Sequence, residues 1–116
     1  MLVVYGIPNC DIVKKSIDWL KKEKIPFRFH NFKSEGVSKK KIVEWINIAG
    51  LDVVINKRST TWRNLPAEVQ SKMGDPNEAA KVAMAETSII KRPVVESNTG
   101  LVIGFNEQQY QKTFTF

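Results

Sequence analysis

The segment Leu2-Val3-Val4-Tyr5-Gly6-Ile7-Pro8-Asn9-Cys10-Asp11-Ile12-Val13-Lys14-Lys15 decides how the chain begins. Leu2 to Tyr5 is an apolar run closed by Gly6, which reads as a short buried strand. Pro8-Asn9-Cys10-Asp11 is turn chemistry. From residue 10 to residue 24, Val13, Ile17 and Leu20 recur at helical spacing, while Lys14, Lys15, Lys21 and Lys22 take other faces. Cys10 therefore falls where the first strand gives way to the first helix. Pro26 stops that helix. Phe27, Phe29 and Asn31 then alternate with Arg28 and His30, as a second strand requires. A strand–helix–strand unit closes right-handed, which makes its two strands parallel.

Working outward, residues 39–49 predict an amphipathic helix with Ile42, Trp45, Ile46 and Ala49 on one side and Gly50 as its stop. Residues 51–65 read as short helices joined by a polar turn, with Thr60 or Thr61 as the N-cap of the second. Asp75-Pro76-Asn77-Glu78 opens a helix that runs to about residue 86. Residues 91–95 and 101–103 form two strands around the turn Asn98-Thr99-Gly100. Asn106 with Gln109 resembles a capping box, and Phe105 with Tyr110 a hydrophobic staple, at the head of a last helix. The order β-α-β, helices, β-β-α predicts an α/β fold of thioredoxin-like type. Its sheet is mixed, and an all-helical insertion at about residues 34–88 separates the halves of one domain, 1–116.

Composition narrows the chemistry. The chain has 116 residues and a formal charge of +6. Residues 1–41 carry ten Lys/Arg and four Asp/Glu, and residues 42–116 eight of each, so all the excess lies in the cysteine-bearing third. Cys10 and His30 are each the sole residue of their kind, which excludes an intramolecular disulfide and a multi-thiolate or histidine metal site. No apolar stretch nears the roughly 18 residues of a membrane span, and no secretory leader is expected. A monomer in the reducing cytoplasm is the expected setting. Direct nucleic-acid binding rests on net charge alone, because the lysines lie on ordinary amphipathic helices with little aromatic interleaving.

At a helix start, free N–H groups and the dipole favour a thiolate, and Lys14 one turn on adds a cation near the sulfur. Asp11 opposes both. A lone cysteine is more often a small buried apolar residue, but the strand-to-helix junction favours a reactive thiol here. Arg92, held extended by the proline that follows it, offers a planar fork to a carboxylate or oxyanion. A surface ion pair is an equally good reading of Arg92 alone, and the better one for Arg58 and Arg63. Trp62 reads as core, and His30 as an exposed strand residue.

Three motifs carry a resemblance: residues 5–15, Asn56-Lys57-Arg58-Ser59-Thr60-Thr61-Trp62-Arg63-Asn64-Leu65, and Ile90-Lys91-Arg92-Pro93-Val94. In this order and at these separations they resemble the arsenate reductase (ArsC)/Spx family, most closely its YffB-like branch of glutathione-dependent thiol reductases, over about residues 1–113. The resemblance implies that Cys10 is the redox nucleophile and that Arg92 holds an anionic substrate or a glutathione carboxylate. It further implies that Pro93 is the cis-proline facing the cysteine and that Arg58 lies in an anion-binding loop. No bound cofactor is implied; glutathione enters as thiol co-substrate, and a small oxidised thiol or oxyanion as substrate.

Two departures matter. Arsenate reductases of this type carry a third arginine after the hairpin, whereas residues 93–116 contain none and Gly104-Phe105 stands there. Spx regulators often carry a second cysteine where this chain has Val13. The first departure weakens arsenate reduction as the activity. The second removes a disulfide switch but leaves open a non-catalytic, Spx-like role in binding RNA polymerase.

Overall fold

The computed structural model describes residues 1–115. It begins with β1 (Leu2–Gly6), α1 (Asp11–Lys22), β2 (Phe27–Asn31) and a single-turn α2 (Phe32–Glu35). It ends with β3 (Val94–Ser97), β4 (Gly100–Ile103) and α8 (Glu107–Phe114). Between them lie α3 (Lys39–Ala49), α4 (Leu51–Val54), α5 (Thr60–Arg63), α6 (Ala67–Lys72), α7 (Pro76–Ala85) and a 3₁₀ turn, Thr87–Ile89. The strands form one sheet in the order β2-β1-β3-β4. β1 and β2 are parallel, and β1–β3 and β3–β4 antiparallel. This is the thioredoxin-like mixed sheet that the element order predicts.

The described chain falls into two compact units, one of Met1–Glu35 with the chain from Arg92 onward, the other Gly36–Lys91. In the first, Leu2 and Val4 of β1, Val95 of β3 and Val102 of β4 form one apolar cluster with Trp19 and Leu20 of α1 and Tyr110 and Phe114 of α8. Alternation along the strands puts Tyr5 and His30 on the opposite face, where their rings lie 4.7 Å apart and each meets Phe32. His30 is thus partly buried, a correction to the exposed residue expected. It has ring partners, and its Nδ1 lies 3.8 Å from the Glu35 carboxylate.

In the second unit α3 packs against α7. α3 buries Ile42, Trp45 and Ile46, while α7 buries only Ala79, Ala80 and Ala83, small residues that let two helices approach closely. Gly50 ends α3 at φ 102°, a conformation favouring glycine. A lone antiparallel bridge, Ile55 to Ile90, joins the stretch after α4 to the one before Lys91.

Several local expectations change. The N-cap of α5 is Ser59, whose hydroxyl accepts the Trp62 N–H at 3.1 Å; Thr61 instead hydrogen-bonds Ser88. Trp62 is half-buried with the Lys57 ammonium 5.5 Å above its ring, a surface platform and not core. α2, α6 and the 3₁₀ turn are too short to show a helical period. The third strand starts at Val94, because Lys91 donates to Val54 inside the helical unit. The last helix follows the expectation: Asn106 caps Gln109 N–H at 3.0 Å, and the Phe105 and Tyr110 rings meet at 5.2 Å.

Two contacts seat α1. A Cβ on Gly6 would lie 2.8 Å from Val13 Cγ2, so the bare backbone is what lets the helix approach β1. One turn on, buried Ser16 Oγ lies 2.9 Å from the Tyr110 hydroxyl, which donates to the Gly104 carbonyl at 2.7 Å. Burial pushes the Tyr110 phenol up to about 12, and the Ser16 bond pulls weakly the other way.

Gly6→Ala is expected to cost about 1–3 kcal/mol in urea denaturation by overpacking. Val13→Ala in the same chain should recover part of that loss; simple addition of the two losses would contradict the contact. Unfolded tyrosine ionises near pH 10, and folded Tyr110 only near 12. Its contribution is therefore whole below pH 10 and lost as pH rises from 10 through 12. Wild-type stability should fall over that window by on the order of 2–3 kcal/mol more than that of Tyr110→Phe; parallel curves would refute the assignment.

Candidate functional site

Cys10 is the N-cap of α1, with extended backbone (φ −133°, ψ 121°) directly before helical Asp11. Its carbonyl accepts the Lys14 N–H at 2.9 Å, the first bond of the helix. The Cys10 side chain makes no capping bond to the first turn, and the residue is half-buried at the head of the helix. A thiolate formed there, or an anion brought to it, meets the positive end of the helix dipole. Lys14 is exposed one turn away, and Asp11 is exposed in the first turn.

Strand register brings a second segment to the end of β1. Tyr5 pairs with Val94, and β1 and β3 run antiparallel, so the entrance to β3 lies beside the exit from β1. Arg92 and Pro93 form that entrance, joined by a cis peptide. Pro93 is buried and Arg92 half-buried, with its Nε inside. Val94 pairs with Ile103, and the next residue, Gly104, donates its N–H to the Pro93 carbonyl at 2.7 Å. Gly104 has φ 85°.

The end of β1, which leads to Cys10 at the head of α1, and the Arg92-Pro93 entrance to β3 therefore lie at the same end of the two central strands, with Lys14 one helical turn beyond Cys10. Arg58 belongs to the helical unit, in the turn after α4, where its N–H donates to Asn56 Oδ1 at 3.0 Å. With Asp52, Ile55, Asn56, Lys57 and Lys91 it lines a cleft of ≈ 670 Å³. Lys57 is engaged there, 3.3 Å from the Asp52 carboxylate. Lys57, Arg58 and Lys91 thus share that cleft with one carboxylate, that of Asp52.

Reading the residues alone missed Ser16. The available signal was a hydroxyl inside the apolar stripe of α1, three residues after Val13 and four before Leu20, where alanine would pack as well. Among the described residues, no three His, Cys, Asp or Glu side chains are grouped to hold a metal ion, and no helix is long and apolar enough to cross a membrane.

Comparison with known proteins agrees with this architecture. The ArsC family model matches residues 5–113. An uncharacterized protein of Haemophilus influenzae is 40% identical over 114 residues, covering 98% of this chain and 99% of its own. The global transcriptional regulator Spx of Streptococcus pneumoniae is 27% identical over 111 residues, covering 94% of this chain and 82% of that protein. The solved structure of a YFFB protein has a TM-score of 0.93 at 31% identity, covering 99% of this chain and all of that one. With the family match spanning both halves of the sheet and the helices between them, this chain belongs to the ArsC family.

Proposed function

We propose that the protein is a monothiol reductase that uses glutathione, with Cys10 as its nucleophile. The observation that carries this reading is the half-buried Cys10 thiol at the N-cap of α1, at the end of the central strands where Arg92 and Pro93 enter β3. The Cys10 thiolate attacks one sulfur of a disulfide. A Cys10–sulfur bond forms, the substrate S–S bond breaks, and the other half leaves as a thiolate that takes up a proton. Cys10 has no partner cysteine in the chain, so an external thiol must resolve the mixed disulfide. Glutathione does so by attacking the adduct, restoring the Cys10 thiolate and carrying away the disulfide.

Arg92 holds a glutathione carboxylate or an oxyanion through its planar fork. Lys14 supplies a cation near the sulfur, and Pro93 shapes the backbone that faces the substrate. Arg58 attracts anions from its own cleft. Disulfide substrates fit better than arsenate, because a glycine occupies the place of the third arginine. The cycle needs a thiol-rich compartment, in keeping with the cytoplasm.

The likeness to Spx over 94% of the chain supports a second reading, an interaction protein that binds RNA polymerase. Val13 in place of a second cysteine leaves such binding without a disulfide switch.

Cys10→Ser should abolish turnover of a glutathione mixed disulfide. Arg92→Lys should raise KM about tenfold with kcat nearly kept, the weight of roughly one charge-assisted hydrogen bond. Full turnover by Cys10→Ser would refute the mechanism. Absent turnover together with retention of purified RNA polymerase by wild type and Cys10→Ser alike would favour the second reading.

A further inference from the structure

The hydrogen bonds behind the site form a chain with one direction. The Tyr110 hydroxyl has a single proton, and it goes to the Gly104 carbonyl at 2.7 Å. The 2.9 Å contact with Ser16 is therefore a bond in which Ser16 donates and Tyr110 accepts. On the far side of the same peptide-bonded residue, the Gly104 N–H donates to the Pro93 carbonyl at 2.7 Å. A continuous path thus runs from the helix that presents Cys10, through the hydroxyl of α8, to the backbone of the Arg92-Pro93 turn. Ser16 and Tyr110 are both fully buried.

We infer that Ser16 and Tyr110 are positioning residues that set where the Cys10 sulfur stands against the Pro93 backbone; this rests on the reading of Cys10 as nucleophile. Ser16 lies six residues after Cys10, about 9 Å along the helix axis. With Val13 already seated on Gly6, the Ser16 bond is a second point of attachment on the same helical face and removes the remaining freedom to rock. An apolar pair at 16 and 110 would fill the space without setting a direction. Two buried hydroxyls carry a desolvation cost that packing alone does not require. The bond ends on a carbonyl whose own residue grips Pro93, so α1 and the turn that leads into β3 are held in one frame.

Ser16→Ala is the clean test, because it cuts the path at the helix and leaves the Tyr110–Gly104 bond intact. Two quantities are read on folded protein: the pH profile of Cys10 alkylation by iodoacetamide, and kcat and KM for a glutathione mixed disulfide. Misplacement of the sulfur should lower kcat by about 10- to 100-fold with KM nearly unchanged, and should move the alkylation profile. Tyr110→Phe should behave alike, and the double variant should be no worse than the more impaired single one. A fall in thermal stability with both quantities unchanged would overturn the inference, as would a change in turnover with an unchanged alkylation profile. If wild type itself fails to turn over, the reductase reading fails and the alkylation profile alone decides: a shift in Ser16→Ala upholds the positioning role, and no shift overturns it.

Discussion

The close approach of Val13 to the bare backbone of Gly6 sets the geometry on which the site depends. α1 leaves the sheet at the edge where β1 ends, and its distance from β1 determines where its first residue stands. A side chain on Gly6 would lift the helix and Cys10 with it. The Ser16–Tyr110–Gly104 bonds then hold the same face of the helix one turn further on, and the Gly104 amide extends that hold to Pro93. Fold and site are thus not separate achievements of the sequence. The same four-residue loop that turns the chain out of β1 delivers a thiol to the positive end of a helix.

Much of this was legible beforehand. The strand Leu2-Val3-Val4-Tyr5, the stop at Gly6 and the Val13-Ile17-Leu20 spacing predicted the strand-to-helix junction and put Cys10 in it. The turn around Asn98 and the Asn106 cap predicted the closing hairpin and helix. These signals are local: period, cap and turn chemistry act within a few residues. What escaped depends on distant partners. His30 alternates as a strand residue should, yet its ring packs against that of Tyr5 on the neighbouring strand, far off in sequence. Ser16 drew no reading of its own because its partner is 94 residues away. α2 and α6 are single turns or little more, too short for a period to emerge.

Charge takes on a different meaning once placed. The +6 excess belongs to the first 41 residues, and Lys14, Lys15, Lys21 and Lys22 are exposed along α1. Only Lys14 is within a turn of Cys10. The two arginines proposed to recognise anions belong instead to the neutral remainder, Arg92 at the entrance to β3 and Arg58 in the helical unit. On the proposed reading, the field of lysines draws small anions toward the thiol-bearing half, and a guanidinium fork selects among them.

The central claim is that Cys10 is a nucleophile whose mixed disulfide glutathione resolves. Intact-mass spectrometry of the native protein exposed to oxidised glutathione, followed by addition of reduced glutathione, tests it most directly. The account predicts a single glutathionyl adduct, mapped to Cys10, that the reduced thiol removes to restore the starting mass. An adduct that forms only after denaturation, or one that glutathione cannot remove from the native protein, would contradict it.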